Sequence, residues 1–218
     1  MEAADPNDIN GDGISGTPNV IEGPSGHRRI GRFGWKATQV SVAHQTAGAL
    51  RNDMGIESAL VGGDELSLDD LEQMVRYVQL LGMPGREGGS ERGELLFDQA
   101  GCVSCHRPEL TTGDTHPRVE LRSQDIRPYT DLLLHDMGPD LADSTGAADA
   151  AEWRTAPLWG LGRTEVVTGD VHLLHDGRAR SVLEAILWHG GEAEASRDRF
   201  AALSARDRAE LIAFVESL

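Results

Sequence analysis

Cys102-Val103-Ser104-Cys105-His106 carries the clearest chemistry in the chain. The spacing C-x-x-C-H is the attachment signature of c-type haem. The two thiols can bond the two vinyl groups on one side of a porphyrin, and the adjacent imidazole then lies under the ring, placed to ligate iron. Zinc is a rival, but a Cys/Cys/His start needs a further Cys or a well-placed His, and the sequence has only 2 Cys. A thioredoxin-like dithiol needs a βαβ context that the sequence lacks. An inert structural pair is the last alternative. The expected cofactor is one covalent haem c with His106 as proximal ligand.

Haem iron takes a second axial ligand in electron carriers and leaves that position open or weakly held for catalysis. His135, Met137, His172, His175 and His189 are the candidates beyond His106. His189 stands out because Val182, Ala185, Ile186 and His189 fall on one helical stripe opened by Ser181. A histidine that ends an apolar inward face needs a polar partner, and iron would serve. His175 and Met137 are the alternatives, each beside an Asp and a Gly that read as tight turns. A separate stretch, Asp8-Ile9-Asn10-Gly11-Asp12-Gly13-Ile14, matches the opening of a calcium loop. Asp8, Asn10, Asp12 and the Ile14 backbone would be its ligands. Asn19 stands where such loops carry a bidentate Glu, and an ion-free Asn/Asp/Gly turn is the alternative.

The elements that must position these groups read as helices joined by long loops. Residues 1–34 are Gly/Pro/Asn/Asp-rich loop. A helix is expected over 37–54, closed by Gly55, and another after the Ser67 cap, with Leu71, Met74, Val75 and Val78 as its stripe. Residues 86–90 read as a linker, and 90–100 as a short helix leading into the cysteines. From 107 to 170 the chain looks irregular, a length that usually means wrapping around a cofactor or substrate. Glu165-Val166-Val167-Thr168 is the one strand candidate. Ser204 opens a last helix with Leu211, Phe214, Val215 and Leu218 on one side, and Gly93 and Phe97 are placed to pack against Phe214. No repeat of 20–50 residues stands out.

Composition bounds the partners. The 218 residues carry 20 Lys+Arg against 36 Asp+Glu, a net charge of −16, with 39% hydrophobic residues. Such acidity disfavours nucleic acid and anionic membrane surfaces and is compatible with a basic redox or protein partner, a charge that serves only solubility being the alternative. No run reaches the roughly 18 apolar residues of a membrane span. The opening Met1–Pro6 has neither the basic nor the apolar run of a secretion leader. The expectation is that a leader was removed or that the chain is a piece of something longer, since covalent haem attachment points to the periplasm or an equivalent compartment.

Several stretches resemble the di-haem oxidoreductase family, the group also labelled thiol oxidoreductase. They are Gly31-Arg32-Phe33-Gly34-Trp35-Lys36-Ala37, the C-x-x-C-H, 129–138 (YTDLLLHDMG), 152–161 (EWRTAPLWGL), 174–180 (LHDGRAR) and 187–192 (LWHGGE). The set is similar, more distantly, to bacterial di-haem cytochrome c peroxidases and MauG-type enzymes. The resemblance implies that this haem is the C-terminal, electron-transferring one of a pair, with His189 where the peroxidases place an axial Met. It also implies that Trp35 matches a tryptophan conduit between haems, a plain core aromatic being the alternative, and that calcium sits between domains. Family members carry a further C-x-x-C-H upstream, and this sequence has one, so peroxidase chemistry does not transfer on the residues present.

The expectation is therefore a mainly α, cytochrome c-like haem domain over 84–218, preceded by an extension over 1–83 that forms part of an inter-haem region. Single-electron transfer is its expected function, with a redox protein or another haem-bearing subunit or domain as partner. The rival is a haem peroxidase-type oxidoreductase with an open axial position and acid–base help from Glu152, Glu184 or His175.

Overall fold

The computed structural model describes residues 4–22, 27–86, 88–144 and 149–218; the first three residues and Glu87 of the expected linker lie outside them. The chain is mainly helical and divides into two compact units, Pro18–Met83, and Met1–Thr17 together with Pro84–Leu218.

The Pro18–Met83 unit opens with an antiparallel hairpin, β1 (Val20–Glu22) against β2 (Arg28–Ile30). Helix α1 (Val42–Met54) follows, its first turn capped by Ser41, whose hydroxyl accepts the His44 N–H. It begins at Val42 rather than at the expected Ala37. Phe33 and Gln39 exchange both backbone bonds, at 3.1 and 3.2 Å, and Ala37 takes a left-handed φ of 51°, so those residues are already committed to a turn. Gly55 closes α1 at φ 72°. Helix α2 (Leu68–Gln79) starts at Ser67, whose hydroxyl accepts the Asp70 N–H. The core of this unit is Ala47 and Leu50 from α1 with Leu71 and Val75 from α2. Met74 and Val78, expected on the same buried stripe, stay exposed because α1 covers only one flank of α2.

In the other unit, α3 (Glu91–Gln99) crosses the last helix, α7 (Ala205–Glu216). The crossing needs Gly93: a Cβ there would stand 2.3 Å from the Glu210 carbonyl and 2.6 Å from the Phe214 Cβ. Phe97 and Phe214 lie 5.4 Å apart in a tilted pair, with Tyr129 edge-on to both. Leu96, Ala100, Val182, Phe200, Leu211, Val215 and Leu218 complete the cluster. Each such large apolar side chain contributes roughly 1.5–3 kcal/mol when fully buried.

Between the cysteines and the last helices the chain is more structured than expected. Two short antiparallel hairpins form, β3 (Leu110–Thr111) with β4 (Asp125–Ile126) and β5 (Leu134–Asp136) with β6 (Glu152–Arg154). The strand candidate at 165–168 is instead part of a one-turn helix, α4 (Thr164–Thr168), ended by Gly169 at φ 82°. Both its valines are solvent-exposed, so no sheet partner rewards an extended form. Helix α5 (Val182–Leu187) starts at the Ser181 cap as expected and stops just short of His189. A further helix, α6 (Glu194–Ala202), was not expected; it buries only Phe200 and shows no apolar periodicity.

Candidate haem site

Helix α3 delivers the attachment motif. Its end is closed by the Ala100 N–H on the Leu96 carbonyl, and Gly101 at φ 84° then turns the chain into a single 3-10 turn, Cys102–Ser104. The His106 N–H bonds the Cys102 carbonyl at 2.9 Å, so both cysteines and the histidine share one tight turn. The two thiols are free and half-buried, and burial pushes Cys102 up to about 12.

His106 is held from two sides. Its Nδ1 meets the Tyr129 carbonyl at 3.0 Å, and its ring lies 6.4 Å from that of Phe97. Tyr129 adopts φ 53°, a conformation costly for a bulky residue, and strain of this kind concentrates at functional sites. Burial, and next the nearby His189, push His106 down to about 4, which keeps it neutral as a metal ligand must be.

His189 is fixed in the same manner. Its Nδ1 meets the Ala185 carbonyl at 2.7 Å, and burial lowers its value too. The two glycines that follow let the chain press on the turn after β5. A Cβ on Gly190 would lie 3.1 Å from the Met137 carbonyl, and one on Gly191 only 2.2 Å from that of Asp136. The structure thus brings His106 and His189 near each other in one unit, each with Nδ1 as donor to a backbone carbonyl. That arrangement leaves Nε2 with its lone pair, the standard posture of a metal-bound imidazole. Among the described residues no hydrogen bond engages either Nε2. Neutral, desolvated imidazoles beside a paired-thiol turn fit an iron porphyrin.

His135, by contrast, has both nitrogens taken. Nε2 bonds Asp131 at 2.9 Å and Nδ1 bonds Glu192 at 2.7 Å, in a site where His135 is 2% exposed. Burial opposes its charge, but the bonds to Asp131, Cys105 and Glu192 outweigh it and hold the ring protonated. Glu192 also accepts from the Ser15 hydroxyl, and Asp131 from the Leu133 N–H. Ligand atoms of Cys105, Asp131 and His135 lie within 4.8 Å of one another. With both ring nitrogens of His135 bonded to carboxylates, the group forms an ionic network beside the attachment turn. Sequence reading overlooked the two carboxylates; Asp131, four residues before His135, and Glu192, three after His189, were the available signals.

The other candidates are placed as follows. Met137 is partly buried beside Gly190. His175 stacks on Trp153 with centroids 3.5 Å apart. His172 is exposed, next to Arg180 and the Gly177 carbonyl. Glu184 accepts the Arg180 N–H at 2.8 Å, and Glu152 lies in β6. Trp35 belongs to the Pro18–Met83 unit and is 50% exposed. In the calcium-type loop both Asp8 oxygens accept the Gly13 N–H at 3.2 Å, Asn10 accepts from Asp12, and Asp12 accepts from the Ile14 N–H. The loop is therefore folded by its own side chains.

A mainly helical unit holds a thiol-pair-plus-imidazole turn with a second imidazole close by, an arrangement that fits a haem-type redox site. The chain belongs to the di-haem oxidoreductase family: the model described as "Di-haem oxidoreductase, putative peroxidase" matches residues 1–73 and, overlapping, 61–218. Haem-based redox chemistry comes with that membership. No curated protein matches the chain. Among solved structures it is similar to the hydrazine synthase of Kuenenia stuttgartiensis pressurised with 20 bar xenon, at 16% identity and a TM-score of 0.47, over 78% of this chain and 60% of that one. This chain therefore spans about three fifths of that structure. Among the described residues no helix is long and apolar enough to cross a membrane.

Proposed function

We propose that this chain holds one haem c through Cys102 and Cys105, with His106 and His189 as the axial pair, in a cytochrome c-like domain, and passes single electrons to and from a redox partner. One observation carries the reading: each of these two imidazoles is anchored at Nδ1 by a backbone carbonyl and kept neutral by burial. The bound group would supply the one-electron couple. The protein's own part is orientation and exclusion. Tyr129 and Ala185 fix the ring planes, Phe97 packs beside His106, and the Asp131–His135–Glu192 network braces the cysteine turn with a fixed set of charges. With two strong ligands in place no position is left for peroxide, which favours relay over catalysis.

The family's peroxidase description favours the second reading, an oxidoreductase in which one axial ligand yields. An optical spectrum of the purified ferric protein separates the two. A low-spin spectrum unchanged by hydrogen peroxide is expected, and a high-spin band with rapid bleaching would contradict relay. The site of action is the periplasm or an equivalent compartment, because covalent haem attachment takes place there. The Asp8–Ile14 loop is the proposed calcium site, supported by its ligand spacing and by the Asp8–Gly13 bond that shapes the turn. Calcium should raise the melting temperature, and Asp12→Ala should abolish the shift; an equal rise in both proteins would exclude the site.

A further inference from the structure

The sulfur of Cys105 has a charged neighbour. Its Sγ lies 3.8 Å from His135 Nδ1, the nitrogen that also bonds Glu192 at 2.7 Å, while Nε2 of the same ring bonds Asp131 at 2.9 Å. The side chains of His135 and Asp131 are 3 and 1% exposed, and that of Glu192 is 10% exposed. Residues 15–17, expected to belong to a separate extension, close over this group. Thr17 and Leu134 exchange both backbone bonds at 2.9 Å, so the segment runs beside β5. The Ser15 hydroxyl donates to the Glu192 oxygen that His135 leaves free. A Cβ on Gly16 would stand 2.9 Å from His135 Cε1, which shows how closely the backbone lies on the ring.

One imidazolium against two carboxylates leaves a single negative charge, held almost entirely out of water. A buried ionic network is a poor way to stabilise a fold, because desolvation takes back most of the Coulombic gain. A brace for the cysteine turn needs no net charge at all. What dry surroundings do provide is reach, since charges interact far more strongly across protein than across water.

We propose that Asp131, His135 and Glu192, sealed by the Ser15–Thr17 strap, set the reduction potential of the group attached at Cys105. The inference rests on the haem reading and deepens it. As a thioether, the Cys105 sulfur is joined to the porphyrin rim through one vinyl-derived carbon, so a charge beside Sγ acts on the iron through a short path of protein. Charges placed in this way around a haem are among the protein's levers on its potential. Reduction adds one electron, given by the redox partner, and no atom. The two carboxylates therefore oppose it, His135 favours it, and the net negative charge holds the potential down.

Potentiometric titration of the purified holoprotein, followed by haem absorbance, tests this through the sign of the shift. Glu192→Gln removes one anion while its amide can still accept from His135 and donate to the Ser15 hydroxyl. It should raise the ratio of reduced to oxidised haem about tenfold at a fixed ambient potential, an upward shift of about 59 mV for one electron. His135→Asn should shift the potential down, and the double substitution should return it close to the parent. Mere loosening of the pocket admits water, which favours the more highly charged ferric form and lowers the potential in every variant. A Glu192→Gln potential at or below that of the parent would overturn the inference, as would a double variant displaced as far as His135→Asn alone. If His135→Asn does not fold, Asp131→Asn takes its place, with an upward shift expected and a downward one contradicting. A colourless chain would remove the haem reading and this inference together, whereas a coloured chain whose potential ignores Glu192 would remove the inference alone.

Discussion

The Ala185 carbonyl leaves His189 one useful ring atom, Nε2, and the Tyr129 carbonyl does the same for His106. Replacing His189 with alanine should leave haem attached but vacate one axial position, converting a low-spin optical and EPR signature to high-spin; an unchanged spectrum would remove His189 from the site. His135 makes the opposite case, a charge held by two carboxylates. Its raised value means that its stabilisation is present in full below about pH 6.5, the ordinary imidazole value, and is lost as pH climbs toward the folded value. Asp131 and Glu192 are shifted down despite burial by their bonds to His135, so their share is lost on acidification through the carboxylate range. His135→Asn should therefore cost about 3 kcal/mol, with the gap in melting temperature from the parent widest near pH 5–6 and shrinking by pH 9. A gap that widens with pH would show the ring to be neutral.

Among the elements, the α3–α7 crossing is the most constrained. Gly93→Val would drive a side chain into the Glu210 carbonyl, and about 2 kcal/mol of stability should be lost in urea unfolding. A neutral outcome would mean that the helices do not cross there. This crossing was legible in the sequence because Gly93, Phe97 and the Leu211–Leu218 stripe are one-turn signals, and the Ser67, Ser181 and Ser204 caps were read in the same local way. The hairpins at 134–136 and 152–154 were not, since strands of three residues carry no period and depend on a partner far along the chain. Helix α6 was missed for want of an apolar face.

For the whole molecule, a net charge of −16 would make encounter with a basic partner weaken as salt screens the field. The thiol turn, the two anchored imidazoles and the ionic network all belong to the unit formed by Met1–Thr17 and Pro84–Leu218. That unit therefore holds every group the proposed haem needs. Intact mass combined with a pyridine haemochrome spectrum of the purified chain tests this assignment most directly. One porphyrin per polypeptide, retained after denaturation and giving the band of a doubly thioether-linked haem, is the predicted result. A colourless chain at its bare polypeptide mass, with both sulfurs open to alkylation or binding zinc, would contradict it.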